Sequence, residues 1–327
     1  MENLEIKKFF KNKRVFITGH NGFKGTWLTF WLESLGAKIC GVSLVEKSEK
    51  KLFFETVVSK KVNSSFFNIC NYKKLEKKIN SFKPEIFFHL AAQPLVLESY
   101  KKPIKTIKSN VLGLNNVLEI LRKCSTIKSI VIITSDKCYK ENNSGIYNER
   151  SRLGGDDPYS ASKAMQEILC ESYKKSYFEK NKIGLATVRA GNIIGGCDFS
   201  KNRLVPDIFK SIYYYKKLSV RNPNHIRPWQ FVADVTYFYI LLSKKLFLNY
   251  DKYSTNFNLS PDLSNLSKKF TVKKILDLSK QIFPSFNYEV KNNHKFKESK
   301  KLLLKNNKLK KNFNFKNKFN IENSLKE

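Results

Sequence analysis

Short apolar runs alternate with amphipathic stretches through the first half of the chain. Val15-Phe16-Ile17, Ile86-Phe87-Phe88 and Ile130-Val131-Ile132-Ile133 are continuous hydrophobic runs, too short for helices. With their neighbours they predict strands at Arg14–Thr18, Lys38–Leu44, Ser65–Asn68, Ile86–Leu90, Ser129–Thr134 and Leu185–Ala190. Helical spacing of apolar positions predicts helices at Thr26–Leu35, Tyr72–Asn80, Pro103–Cys124 and Tyr159–Phe178. Strands that are apolar on both faces and separated by helices imply a doubly wound parallel sheet, an α/β fold that receives ligands at its carboxyl edge.

After Ile193 the pattern loosens. Leu204–Tyr215, Val235–Phe247 and Val272–Phe283 read as helices and Asn256–Leu259 as a late strand, while Lys291–Glu327 has sparse apolar positions. The expectation is a sheet domain of residues 1–192 plus about 231–262, carrying a smaller C-terminal lobe of about 193–230 plus 263–327. Met1–Lys13 reads as a polar segment running straight into the first strand, without the apolar core of a signal peptide. No stretch approaches the length of a membrane span, so the cytoplasm is expected.

The formal charge of +33 in 327 residues raises the question of nucleic acid. Lysine pairs such as Lys50-Lys51, Lys73-Lys74 and Lys300-Lys301 run along the whole chain and do not gather on one face of one helix. Such a spread predicts solvated surface and no specific nucleic-acid site. The six cysteines stand singly, without the pairing of a zinc site, and predict reduced thiols and no metal.

Chemistry concentrates at three places, with a set of arginines beyond them. First, Val15-Phe16-Ile17 leads into Gly19, His20, Asn21, Gly22, Phe23, Lys24 and Gly25, and then a helix. Gly19 permits a tight turn, Gly22 lets backbone N–H groups approach a pyrophosphate, and Gly25 packs helix against strand. The helix N-terminus adds positive potential. The turn makes the doubly wound sheet Rossmann-like. The second strand ends Gly41-Val42-Ser43-Leu44, without the usual acidic partner for a ribose, and the third ends at Asn68-Ile69, where an Asp often meets adenine. NAD is the favoured cofactor, with NADP as the alternative.

Second, Tyr159 and Lys163 form a YxxxK pair one helical turn apart, so both project from one face. A tyrosine with a pKa near 10 is a poor base at neutral pH, and an adjacent ammonium favours its phenolate. The pair suits removal of a hydroxyl proton while hydride leaves the same carbon. Third, the fifth strand ends in Ser135-Asp136-Lys137: a hydroxyl to bind the same substrate oxygen and an acid/base pair that simple alcohol oxidation does not need. Arg203, Arg221 and Arg227, scarce residues in a lysine-rich chain, are spaced to close over an anion.

VFITGHNGFKGTWLTFWLESLGA from Val15, HLAAQPLV from His89, TSDKCY from Thr134, GGDDPYSASKAMQE from Gly154, VRAGNIIGG from Val188, RLVPDI from Arg203 and RNPNHIRPWQFV from Arg221 occur in order. Through them the chain resembles the extended short-chain dehydrogenase/reductases, and among these the CDP-glucose 4,6-dehydratases, to which the lysine at position 137 points. The resemblance implies that Tyr159, supported by Lys163, takes the 4-hydroxyl proton as C4 gives hydride to NAD. Lys137, as a neutral amine, then takes the C5 proton, Asp136 assists loss of the 6-hydroxyl as water, and the hydride returns to C6. It places Leu90, Ala91, Ala92 and Gln93 with Asn68 and Ile69 along the cofactor. It places Gln93, Pro94, Ser135 and Asn192 toward the nucleotide-sugar, and leads one to expect a homodimer paired through Pro103–Cys124 and Tyr159–Phe178. Leu97 stands where that family more often has arginine, and Glu327 comes before an expected aromatic end, so that either the final lobe is shortened or the reading frame ends early. An epimerase, another nucleotide-sugar dehydratase, or a Rossmann protein that only binds nucleotide are the competing readings. Asp136 and Lys137 count against the epimerase.

Overall fold

The computed structural model describes residues 2–45, 54, 62–200, 202–263, 270–291 and 299–327. In chain order the strands are β1 (Arg14–Thr18), β2 (Lys38–Ser43), β3 (Asn63–Phe66), β4 (Ile86–His89), β5 (Ser129–Ile133), β6 (Ile146–Tyr147), β7 (Gly184–Ala190), β8 (Ile193–Ile194), β9 (Leu218–Val220), β10 (Gln230–Phe231), β11 (Asn256–Leu259), β12 (Tyr288–Val290) and β13 (Leu303–Leu304). Seven of them make the central sheet in the order β11-β7-β5-β4-β1-β2-β3. The pairs from β7 through to β3 are all parallel. The chain starts in the middle of the sheet, winds outward to β3, then returns to β4 on the other side of β1. The carboxyl ends of β1 and β4 therefore flank the switch point where this fold takes ligands.

Contacts divide the chain into two compact units. The first comprises Met1–Lys140, Arg152–Arg189 and Thr236–Phe257; the second comprises Glu141–Ser151, Ala190–Val235 and Asn258–Glu327. In the first, Phe16, Phe87, Ile130 and Ile132 of the sheet pack with Leu114, Val117, Leu118 and Leu121 of the Gly113–Leu121 helix and with Leu75 and Ile79 of Tyr72–Phe82. Each such side chain contributes roughly 1.5–3 kcal/mol on burial. The second unit has its own core around Val205, Ile208, Trp229, Ile275, Leu276 and Phe286.

Several expectations change. Residues 2–10 form a helix, because Ile6 and Phe10, one turn apart, bury against the fold. The third strand runs Asn63–Phe66, two residues earlier than its apolar signal, because pairing to β2 sets Ser64 opposite Gly41. Residues 141–151 belong to the second unit, because β6 pairs with β13. The tail is less sparse in structure than in sequence: Leu302, Leu303, Leu304, Leu309, Phe315 and Leu325 are all buried. The predicted Pro103–Cys124 helix is interrupted by a π-helical turn at Lys108–Leu112, and Tyr159–Phe178 ends in another at Lys174–Phe178.

Candidate active site

The glycine turn is a close-packed cradle. Gly19 adopts φ +76°, and a Cβ there would lie 2.7 Å from the Ala91 backbone nitrogen, at the end of β4. A Cβ on Gly25 would lie 1.9 Å from the Gly19 carbonyl oxygen. Gly22 occupies the N-cap of the Phe23–Ser34 helix and brings no capping side chain, so no cap side chain competes with an anion approaching the positive end of that helix. These features fit a dinucleotide pyrophosphate. Where the sequence lacks an acidic ribose partner, the fold gathers neutral groups instead. His20 Nδ1 meets Ser43 Oγ at 2.8 Å and its Nε2 meets Ser64 Oγ at 3.0 Å, while Asn21 Nδ2 donates to the Leu44 carbonyl at 3.1 Å. Burial lowers His20 from 6.5 to about 4, so it is neutral. Asn68 is exposed and accepts from the Cys70 N–H, whereas Ile69 is buried in the core.

The Tyr159 helix begins where its cap dictates. Asp157 Oδ1 accepts from the N–H groups of Tyr159 and Ser160, and Pro158 occupies the first turn. Tyr159 and Lys163 are both buried, with Lys163 Nζ 5.9 Å from the centre of the Tyr159 ring. Burial lowers Lys163 from 10.5 to about 8, against the opposing pull of the Glu167 carboxylate. After β5, Ser135 caps a single 3-10 turn, Asp136–Cys138. Its Oγ donates to Asp136 Oδ1 at 2.9 Å and accepts from the Lys137 N–H at 3.2 Å. Ser135 and Asp136 are buried and Lys137 is half-buried.

Sequence reasoning missed the support behind these groups. Glu167, one turn beyond Lys163, accepts from Thr134, from Thr187 at 2.7 Å and from Arg189 at 2.6 Å. Arg189 also donates to the Tyr139 hydroxyl at 2.8 Å. Lys163 donates to Gln166 Oε1 at 2.8 Å. His89 Nδ1 meets Thr18 Oγ1 at 2.9 Å, and burial first, with the Lys163 charge second, lowers it to about 3. The available signal was the helical repeat Tyr159, Lys163, Glu167, which puts an acid on the same face as the Tyr159–Lys163 pair.

Gln93 is buried, and its side chain is engaged by its own loop and by the Pro103–Ile107 helix. Its amide donates to the Leu95 carbonyl and to Thr106 Oγ1, and its Oε1 accepts from the Leu95 N–H at 2.6 Å. The exposed Pro94 follows it, and Leu90, Ala91 and Ala92 precede it, each half-buried. In the second unit Asn192 is exposed between β7 and β8. Arg203 pairs with Asp198 at 2.9 Å, and Arg221 is half-buried just after β9. Arg227 donates to the carbonyls of Ile226 at 2.8 Å and Ser299 at 2.6 Å. The structure thus brings Ser135, Asp136, Lys137, Tyr159 and Lys163 and the glycine turn into one unit, with Asn192 and the three arginines in the other. Among the described residues no His/Cys/Asp/Glu cluster is suited to a metal, and no helix is long and apolar enough to cross a membrane.

Among similar proteins, the CDP-glucose 4,6-dehydratase of Salmonella typhimurium is 41% identical over 280 residues, covering 83% of this chain and 78% of that one. The dTDP-D-glucose 4,6-dehydratase of Dictyostelium discoideum is 29% identical over 284 residues, 82% of this chain and 62% of that one. Among solved structures, the UDP-glucose 4-epimerase of Thermotoga maritima superposes with a TM-score of 0.80 at 20% identity, over 96% of both chains. The dTDP-glucose 4,6-dehydratase of Bacillus anthracis, solved with NAD, does so with a TM-score of 0.77 at 20% identity, over 96% of this chain and 94% of that one. Residues 16–327 match the family described as GDP-mannose 4,6 dehydratase. With that match running from the first strand through both units, the chain belongs to the GDP-mannose 4,6 dehydratase family.

Proposed function

We propose that the protein is a CDP-glucose 4,6-dehydratase. It converts CDP-glucose to CDP-4-dehydro-6-deoxyglucose and water, with NAD as its cofactor and NADP as the alternative. The observation that carries this reading is the Ser135-Asp136-Lys137 turn standing after β5 in the unit that also buries Tyr159 and Lys163, together with 41% identity to the Salmonella enzyme. Gly19, Gly22 and Gly25 would hold the pyrophosphate of the dinucleotide, with His20, Asn21 and Ser43 nearest its ribose. When bound, the nicotinamide supplies reversible storage of the hydride that leaves C4 and reaches C6.

The chain's own groups move the protons. Tyr159, its phenolate favoured by the Lys163 cation, takes the proton of the 4-hydroxyl while Ser135 holds that oxygen. The ketone at C4 acidifies the C5 hydrogen, which Lys137 removes as a proton and returns to C5 once hydride has reached C6. Asp136, protonated, gives its proton to the departing 6-hydroxyl. An epimerase has no use for that second acid/base pair. The arginines of the second unit, Arg203, Arg221 and Arg227, and Asn192 supply donors for a diphosphate.

Six unpaired thiols agree with a reducing cytoplasm. A homodimer is favoured by Ile104, Leu112, Met165 and Ile168, apolar side chains exposed on the Pro103–Leu121 and Pro158–Tyr173 segments. Light scattering that gives only monomer at working concentration would remove it. For the reaction, the protein is incubated with NAD and separately with CDP-, dTDP-, UDP- and GDP-hexoses, each followed by mass spectrometry. Loss of one water from CDP-glucose alone, without accumulating reduced cofactor, supports the assignment. A folded protein that binds NAD and changes none of the four is a nucleotide binder instead.

A further inference from the structure

Lys163 is buried, yet its hydrogen bonds go to neutral acceptors. Its ammonium donates to Gln166 Oε1 at 2.8 Å and, at the limit of a hydrogen bond, to the Ile133 carbonyl at 3.5 Å. Gln166, fully buried, turns its other end away: Nε2 donates to the backbone carbonyl of Asn110 at 2.7 Å. Asn110 lies in the π-helical turn Lys108–Leu112, where the regular helical ladder is broken. Its carbonyl takes a hydrogen from a side chain outside its own helix. The Asn110 side chain is itself held at three points. Oδ1 accepts from the Gln93 N–H at 2.7 Å, and Nδ2 donates to the Gln93 carbonyl at 3.2 Å and to Ser162 Oγ at 2.8 Å.

We propose that Gln166 is a positioning residue, a neutral relay that holds the Lys163 ammonium beside Tyr159 by anchoring it to the Asn110 carbonyl of the π turn. The two partners fix which way the amide points, since Oε1 must accept and Nε2 must donate. A neutral acceptor satisfies one ammonium hydrogen without cancelling the positive field at Tyr159, whereas a carboxylate in the same place would cancel much of it. The acid that balances this buried cation is one residue further along. Glu167 serves Arg189, Thr134 and Thr187 directly and acts on Lys163 only through space. The π turn thereby serves the site, since it frees a backbone carbonyl at the height where the relay needs one.

The titratable groups that face Lys163 are Tyr159, Glu167 and Cys170 on its own helix, Cys138 from the turn after β5, and His89 from β4. Burial holds the two thiols protonated and His89 neutral. Changes at position 166 are therefore read mainly at Lys163 and Tyr159.

The role assumes the Tyr159 chemistry proposed above, so the test includes a reading that needs no substrate. Full-length Gln166→Met and Gln166→Glu proteins are prepared, each with its Tyr159→Phe counterpart, and the Tyr159 phenolate is titrated as the absorbance difference between them. Gln166→Met keeps the shape and loses both hydrogen bonds. The Tyr159 titration then moves up by about one unit, and kcat falls about tenfold at neutral pH with KM little changed. Its kcat profile narrows, because an ammonium left with only the distant Ile133 carbonyl loses its proton earlier. Gln166→Glu places a carboxylate on the ammonium, and the alkaline limb of kcat moves to higher pH. A Tyr159 titration in Gln166→Met that coincides with the parent overturns the relay, as does a loss of kcat with an unchanged profile in both variants. If Gln166→Met does not fold, the alkaline limb of Gln166→Glu decides alone. A parent protein that dehydrates no nucleotide-sugar ends the dehydratase reading, while the phenolate titration still judges Gln166.

Discussion

Glu167 and Arg189 close a buried ion pair, with Arg189 Nη2 2.6 Å from Glu167 Oε2 and both side chains 2% exposed. The pair ties the Pro158–Tyr173 helix to β7, and Thr134, which directly follows β5, donates to the same carboxylate. It lies one turn beyond Lys163, so the scaffold of the site and the charge around its lysine are set by one residue.

Removing one partner should cost far more than removing both. Glu167→Gln leaves the Arg189 guanidinium buried without its counter-charge and is expected to lose about 3–5 kcal/mol in urea unfolding. A Glu167→Leu, Arg189→Met double variant should recover a large part of that loss. Equal destabilisation of the single and the double would show that shape, not charge, holds this position.

Tyr159 and Asp136 are expected to fail at different steps. Tyr159→Phe should lower kcat by about 100- to 10,000-fold with nucleotide-sugar binding retained, because the first proton has no acceptor. Asp136→Asn should still carry out the oxidation, so that reduced-nicotinamide absorbance appears and persists while little water is lost. Stopped-flow absorbance beside mass spectrometry of the sugar separates the two. Full dehydration by Asp136→Asn would remove Asp136 from the leaving-group role.

The glycine turn gives a graded expectation. In Gly25→Ala the new methyl meets the Gly19 carbonyl oxygen at 1.9 Å, a backbone atom that cannot swing aside. The protein should melt several degrees lower and lose NAD binding. In Gly22→Ala the nearest atom is at 3.4 Å and the fold is kept, but the methyl stands where an anion approaches, so NAD binding should weaken by about tenfold or more. Calorimetry of NAD binding on both variants is the check, and binding as tight as the parent's in both would refute the cradle.

Acid should unfold the protein partly through His20. Its folded pKa is about 4 against 6.5 for the free side chain. The unfolded chain therefore takes up this proton first, and the contribution is present above 6.5 and lost as pH falls from there toward about 4. His89 behaves the same way over 6.5 to about 3. His20→Gln should flatten the fall in stability across this window by about 2–4 kcal/mol. Parallel melting-temperature curves for parent and variant would mean His20 does not titrate as described.

What the sequence determined by itself is local. Ile130-Val131-Ile132-Ile133 could only be a short strand buried on both faces, and it is β5. The glycine turn and the Tyr159–Lys163 pair were legible because their geometry is fixed within a few residues of chain, by turn sterics and by one turn of helix. The Ser135-Asp136-Lys137 turn was legible because it directly follows an identifiable strand. The tertiary structure decided what depends on which segments become neighbours. Apolar patterning could not say that Ile146–Tyr147 would find Leu303–Leu304, since two-residue strands carry no period of their own. It could not join His20 to Ser43 and Ser64, which meet only because β2 and β3 lie side by side. Nor could it join Glu167 to Arg189 or Gln166 to Asn110, because buried polar groups take whatever partner the packed interior leaves within reach, and sequence distance does not choose it.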